Sequence, residues 1–88
     1  MAALGFEEYN LKFKFCEIRV LGSYSHVCQL RNQPDMSDIL EADIKTEIYK
    51  AHIFLGLCEK YNTTYSLGKD ETCAHLQALL HEMQSAIK

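Results

Sequence analysis

The spacing of hydrophobic residues divides the chain into three segments. In the first, residues 9–20 (YNLKFKFCEIRV), large apolar side chains alternate with polar ones in two phases: Leu11, Phe13 and Phe15, then Cys16, Ile18 and Val20. Alternation of aromatic and β-branched residues favours a β-strand. A single strand could place both sets of apolar residues on the same face if it contained a β-bulge at Phe15-Cys16, because the extra residue reverses the direction of the side chains that follow.

A second alternating run follows Gly22-Ser23. Four of its residues share one parity: Tyr24, His26, Cys28 and Leu30. A three-residue loop over positions 21–23 would place Val20 opposite Tyr24 and keep the apolar residues on one face. The two runs therefore predict a β-hairpin over residues 9–31.

The second segment has the period of an α-helix. After Asn32-Gln33-Pro34, Asp35 or Ser37 would cap a long helix over residues 36–61, and Asn62 would end it in the left-handed conformation. Its apolar residues form two stripes on roughly opposite sides. The first stripe contains Leu40, Ile44, Ile48, Ala51, Leu55 and Cys58, and the second contains Tyr49, Ile53, Gly56 and Leu57.

The third segment is a simpler helix. A polar loop leads to Asp70, which would cap a C-terminal helix over residues 71–87. This helix has a single apolar stripe: Cys73, Leu76, Leu79, Leu80, Met83 and Ile87. The predicted fold is therefore α+β, a single domain over residues 1–88 in which an N-terminal β-hairpin is followed by two antiparallel α-helices.

A helix that is apolar on two sides must be covered on two sides. A lone two-stranded hairpin is marginally stable in water, and a chain of 88 residues buries only a small core. Two copies that pool their apolar surfaces would gain stability. We expect a homodimer, with Tyr49, Ile53 and Leu57 either forming the interface between copies or binding another target.

Composition and charge narrow the class of protein. Apolar residues make up 48% of the chain and there is one proline, which is typical of a globular protein. No segment has the pattern of a secretory signal or of a membrane span, so we expect a cytoplasmic protein without membrane contact. The net charge of −3 is uneven: residues 1–34 have four Lys/Arg and three Asp/Glu, whereas residues 35–88 have five Lys/Arg and nine Asp/Glu. Asp35, Asp38 and Glu41 are a second candidate partner surface, although helix solubility also explains them.

Two short motifs contain residue types that bind zinc: His26-Val27-Cys28 and Cys73-Ala74-His75. Structural zinc sites usually space two ligands so that the chain wraps the metal, and Cys73 and His75 would point about 200° apart on a helix. In a reducing compartment the four cysteines are expected to be buried free thiols. The sequence therefore predicts no metal, no cofactor and no catalytic site, and the protein is not expected to be an enzyme.

These patterns favour a small intracellular protein that acts by protein–protein contact. An inhibitor or immunity-type protein that blocks an enzyme or a nucleoprotein complex is one form of it. The alternative is a nucleic-acid-binding regulator that uses a basic hairpin face with Lys12, Lys14, Arg19 and Arg31, although a pI of 5.7 is low for that class. The third hypothesis is a small metal or redox module that uses the zinc-type motifs.

Overall fold

The computed structural model describes residues 2–33 and 38–87, with side chains for residues 5–33 and 40–87. These residues form three α-helices: α1 (Ala2–Arg31), α2 (Asp38–Tyr65) and α3 (Asp70–Gln84). The described ranges contain no β-strand. The fold is all-α, and the predicted α+β class is wrong. The bundle is elongated, with extents of 53 × 18 × 15 Å.

Helix α1 occupies the place of the predicted β-hairpin over residues 9–31. Its buried side chains follow one another at alternating steps of three and four residues, which is the spacing of one helix face: Phe13, Cys16, Val20, Ser23, Val27 and Leu30. A second helical stripe, Leu11, Phe15 and Ile18, is exposed. The buried and exposed stripes interleave along the chain. Over residues 11–20 their apolar side chains together alternate with polar ones, as they would in a β-strand. The expected bulge at Phe15-Cys16 is the point at which the interleaved stripes change parity.

The expected hairpin loop lies inside α1. Ser23 is buried, and its side chain lies near Glu47 of α2, where it helps to lower the pKa of that carboxyl group. Gly22 faces open space, because a Cβ at this position would meet no atom within 4 Å. Glycine here costs about 1 kcal/mol of helix stability relative to alanine. Tertiary packing of the buried stripe outweighs that local cost.

Helix α2 extends beyond the predicted end because Asn62 does not terminate it. The helix was predicted over residues 36–61; positions 36 and 37 lie outside the described residues, and the helix ends at Tyr65. Ser66, with φ 50°, takes the left-handed conformation expected of Asn62. Asn62 is buried, and its side chain holds the loop that follows. Its Nδ2 donates to Asp70 Oδ1 over 2.9 Å, and its Oδ1 accepts from the Lys69 amide over 2.8 Å.

Helix α3 begins at Asp70 and ends at Gln84, within the predicted range of 71–87 apart from its first residue. Lys69 is the N-cap residue, and no side chain caps the helix. The Asp70 carboxylate, which was expected to be the cap, accepts from Asn62 instead. The apolar stripe of α3 is buried over Cys73, Leu76, Leu79, Leu80 and Met83, and Ile87 beyond the helix is partly buried against the same core.

Successive helices run antiparallel. The Phe13 carbonyl of α1 accepts from Cys58 Sγ of α2 over 3.7 Å, whereas Ser23 lies beside Glu47, so α1 and α2 have opposite directions. They form one hairpin of long helices.

Helix α3 packs back along this helical hairpin. Gln77 Nε2 donates to Glu59 of α2, and the Tyr24 hydroxyl of α1 donates to Glu82 over 2.7 Å. Helix α3 therefore contacts both long helices, and the three share one hydrophobic core.

Replacing Gly22 by alanine is expected to raise the free energy of unfolding by about 0.5 to 1 kcal/mol, because the position is helical and has room for a methyl group. Gly56→Ala in α2, which is equally open, should give a similar gain. Gly68→Ala should instead destabilise, because Gly68 has φ 70° and a side chain there is strained. Urea unfolding measures all three. A loss of stability for Gly22→Ala would favour the hairpin turn over the helix.

Candidate functional site

Helix α3 covers one of the two long grooves between α1 and α2. On α1, Tyr24, which contacts α3, lies nine residues after Phe15, so the two side chains point about 180° apart. On α2, Glu59, which also contacts α3, points about 140° away from Phe54. The uncovered side is the open groove. It is lined by Phe15, Ile18, Arg19 and His26 of α1 and by Glu47, Lys50 and Phe54 of α2.

One end of the open groove is aromatic. The rings of Phe15 and Phe54 meet edge to face, with centroids 6.1 Å apart. The Arg19 guanidinium carbon lies 6.0 Å from the Phe15 ring centroid and 5.5 Å from the Phe54 centroid, so the cation interacts with both rings. Phe15 remains 57% exposed. The contact between the helices therefore leaves most of this ring open to solvent.

The other end of the open groove is polar and centres on Glu47, whose side chain is only 12% exposed. Glu47 Oε2 lies 3.4 Å from Lys50 Nζ and 3.3 Å from His26 Nδ1. The Ser23 side chain also lies near the carboxylate, on the floor of the groove. Around these residues the groove forms a depression of about 310 Å³.

Two opposing effects act on the pKa of Glu47. Burial raises it, because the charged carboxylate loses contact with water. Hydrogen bonds from Lys50, His26 and Ser23 and the charge of Lys50 lower it, and together they hold the pKa of Glu47 below its ordinary value of 4.5. The carboxylate therefore stays ionised and ties α2 to α1 at the polar end of the groove.

This depressed pKa predicts a contribution to stability that disappears in acid. Glu47 stabilises the fold above its ordinary pKa of 4.5, and the contribution is lost as the pH falls through the lower folded-state pKa. Wild type should exceed Glu47→Gln in free energy of unfolding at pH 7, and the gap should narrow below pH 4.5. The measurement is urea unfolding at a series of pH values, with the surface variant Glu71→Gln as control. A gap that stays constant down to pH 3 would contradict the assignment.

Exposed aliphatic side chains border the open groove. Ile18 at its edge is 55% exposed, Leu11 lies two helical turns before it and is 70% exposed, and Ile53 follows Lys50 by three residues and is 44% exposed. Leu11, Phe15 and Ile18 form one exposed apolar stripe on α1 beside the groove. A scattered exposed leucine is ordinary on a protein surface, but aromatic and aliphatic side chains gathered beside one groove are typical of a contact surface.

The three residues of the predicted interface stripe of α2 point in different directions. Each step of four residues rotates a side chain by about 40°, so Tyr49, Ile53 and Leu57 do not share one direction. Leu57 packs partly against the core, Ile53 borders the open groove, and Tyr49 is 69% exposed. Tyr49 points about 140° away from Phe54 and thus away from the groove.

The acidic residues predicted as a partner surface lie near the start of α2. Asp35 lies outside the described residues, and Asp38 is the first residue of α2, with its side chain outside the described part. The Glu41 carboxylate lies 3.3 Å from Lys45 Nζ, one turn later, and both side chains are well exposed. This pair partly neutralises the acidic surface at that end of the bundle.

The two zinc-type motifs are separated in the fold. His26 lies in the open groove beside Glu47, whereas Cys73 is buried in α3 and His75 is exposed on the same helix. Cys28 is near the Tyr24 hydroxyl, and both its hydrogen bond and its proximity contribute to raising the pKa of Tyr24, after the larger effect of Glu82. Over residues 2–33 and 38–87, no three His, Cys, Asp or Glu side chains are grouped closely enough to hold a metal ion.

All four cysteines are free. Cys16, Cys58 and Cys73 are buried at the junction of the three helices, and burial is the main effect that raises the pKa of each thiol. Cys16 and Cys58 lie close together across α1 and α2, and each thiol influences the pKa of the other. A raised thiol pKa disfavours the reactive thiolate, so these three side chains act as small packing groups of the core.

The basic hairpin face expected for nucleic-acid binding is not formed. It depended on the alternation of side chains along a β-strand, and residues 9–31 are helical. On a helix, Lys12 and Lys14 point about 200° apart. Lys12 lies 3.6 Å from Glu8, and Lys14 lies 2.7 Å from Glu17. Arg19 lies in the open groove, and Arg31 is in the last turn of α1. Lys12 and Arg19, seven residues apart, point within about 20° of each other, whereas Lys14 and Arg31 point about 100° or more away from both, so the four cations do not form one face.

No protein-family model, curated protein or solved structure matches this chain. In the part of the chain that the structure describes, none of the helices has the length and apolar character needed to cross a bilayer.

Sequence reasoning missed the aromatic end of the open groove. The strand assignment gave Phe13 and Phe15 the same face, and Phe54 belonged to neither stripe of the long helix. The helical spacing becomes visible in a window longer than residues 9–20. From Phe13 across Ser23 to Leu30, the residues of the buried stripe follow one another at intervals of three and four positions. A strand of that length is unusual, whereas a helix of that length is common.

Proposed function

We propose that this protein acts by protein–protein contact and that the open groove is its contact surface. The observation that supports the proposal is the exposed aromatic end of the groove, where Phe15, Phe54 and Arg19 interact beside Ile18. Phe15 and Ile18 are exposed and contribute little to the core, whereas Phe54 is partly buried against it. Aromatic residues and arginine are also the residue types most enriched in the energetic centres of protein interfaces.

The groove also has the arrangement that a specific contact needs. Its apolar end offers surface that releases water on binding, and its polar end offers charged groups that fix orientation. Both ends lie on long helices rather than on loops, so the surface is held in shape before a partner arrives. A protein of this kind acts by occupying a surface on its partner, and an inhibitor or immunity-type protein that blocks an enzyme or a nucleoprotein complex is one form of this function.

Site-specific photo-crosslinking tests the proposal. Benzoylphenylalanine is introduced at Ile18, on the groove, and separately at Ala78, which is exposed on α3, and each variant is irradiated in cells of the source organism. The expected result is a discrete adduct from position 18 that is absent from position 78 and disappears when Phe15→Glu is added. Far-UV circular dichroism checks that the Phe15→Glu chain keeps its helices. Equal adducts at both positions, or none at position 18, would overturn the proposal.

A further inference from the structure

The charges of the open groove restrict what its occupant can be. The groove has two cationic side chains, Arg19 and Lys50, and one carboxylate, Glu47. Glu47 is already engaged, because Lys50, His26 and Ser23 all surround it. Among the described side chains, Arg19 has no carboxylate within ion-pair distance. The chain as a whole has a net charge of −3, yet its open groove has one more cation than carboxylate.

Arg19 is oriented for an ion pair that none of the described side chains supplies. Two phenylalanine rings hold the guanidinium at 5.5 and 6.0 Å from their centroids, which limits its freedom without using its N–H donors. An arginine fork binds a carboxylate through two parallel hydrogen bonds. Because the two rings limit the motion of the guanidinium, a carboxylate on an occupant of the groove would pair with it at a low entropic cost.

The shape of the groove indicates a helical occupant. Helices α1 and α2 are long and antiparallel, α3 covers one side of them, and the open groove lies on the other side. A helix laid there would take the fourth position of a four-helix bundle, with apolar residues at i, i+3, i+4 and i+7 as its anchors. From Phe15 to His26 the groove runs about 17 Å, which corresponds to about three turns of an incoming helix.

A second copy of the chain suits this groove poorly. A two-fold contact presents the same surface from both sides, so it would bring the cationic groove against itself. Glu47 could not relieve the repulsion, since it is buried and already paired. We infer, on the basis of the proposed function, that the groove binds an amphipathic helix of another protein, and that a carboxylate of this helix pairs with Arg19.

The probe is a display library of single helices of about five turns, carried on a rigid helical scaffold and randomised on one face. The library is selected against the full wild-type chain and counter-selected against Ile18→Glu. The selected helices should be apolar at i, i+3, i+4 and i+7 and should concentrate Asp or Glu at one position beside that stripe. Selected helices that are neutral or basic there would overturn the inference.

A charge swap then identifies the partner of that carboxylate. Arg19→Glu should weaken the selected helices by at least about tenfold, and replacing their acidic residue by lysine should restore binding. Lys14→Glu is the matched control, because it makes the same charge change on another side of α1. Equal weakening by both variants would overturn the inference, since only the overall charge would then matter.

Two further outcomes separate this inference from the proposed function. If sedimentation shows a dimer of the full chain that Ile18→Glu dissociates, the occupant is a second copy and the inference fails, although the groove remains a contact surface. If position 18 gives a crosslinked adduct while the selected helices lack an acidic residue, the inference again fails alone. If position 18 gives no adduct and no helix distinguishes wild type from Ile18→Glu, both proposals fail.

Discussion

Replacing Phe13 by alanine is expected to lower the free energy of unfolding by about 3 to 5 kcal/mol. Phe13 is 0% exposed and lies in the interface between α1 and α2, where its carbonyl also accepts from Cys58. Truncation loses the transfer energy of the ring and leaves a cavity that two rigid helices cannot close. The measurement is equilibrium unfolding in urea, followed by far-UV circular dichroism.

Phe15→Ala is the matched control, because it makes the same chemical change two residues away. On a helix the two side chains point about 200° apart, and Phe15 is 57% exposed. Its loss should cost less than about 1.5 kcal/mol, mainly through its aromatic contact with Phe54. On a strand both rings would share one face, and the two variants would have similar effects. Equal losses would therefore restore the hairpin and remove the open groove.

Replacing Leu76 by alanine is expected to cost about 2 to 5 kcal/mol. Leu76 is 0% exposed at the centre of α3, and a helix of 15 residues is marginally stable unless it is packed. Loss of this anchor should loosen α3 from both long helices. Amide hydrogen exchange should show α3 losing protection before α1 and α2 do.

Gln77→Ala provides the control for Leu76 on the same helix. Gln77 is exposed, and its amide donates to Glu59, so the variant loses one solvent-accessible hydrogen bond, worth about 1 kcal/mol or less. If Leu76→Ala were as mild as Gln77→Ala, the apolar stripe of α3 would not be buried, and the side opposite the open groove would not be covered.

The candidate site was only partly accessible from the sequence. The pattern drew attention to α2 as a helix with apolar residues on two sides, and Ile53 of its second stripe is exposed. Its part in an interface stays a prediction. Tyr49 and Leu57 were grouped with it because steps of four residues look like one stripe in a sequence. The rotation of about 40° at each step separates their directions: Leu57 is partly buried against the core, whereas Tyr49 is 69% exposed. Which part of such a spiral forms a groove depends on where the neighbouring helices lie.

Arg19 illustrates the same limit for charged residues. In the sequence it was one of four cations assigned to a basic hairpin face. In the fold, Lys12 and Lys14 lie beside glutamates of their own helix, whereas Arg19 stacks on Phe15 and Phe54. The contact with Phe54 joins positions 35 residues apart in the chain, so no local pattern could indicate it.

Local periodicity was sufficient to predict the secondary structure of the two later segments. The apolar residues over 40–58 and 73–83 have the period of a helix only, and the buried positions of α2 and α3 follow it. It was not sufficient for residues 9–31. There, two helical stripes interleave into an apparent alternation, and aromatic and β-branched side chains have a local preference for strand. That preference amounts to less than about 1 kcal/mol per residue. Burial of Phe13, Val20 and Val27 against α2 and α3 outweighs it, since each buried side chain contributes about 1.5 to 3 kcal/mol. Helix α1 and the groove it forms with α2 therefore depend on contacts between segments that are distant in the chain.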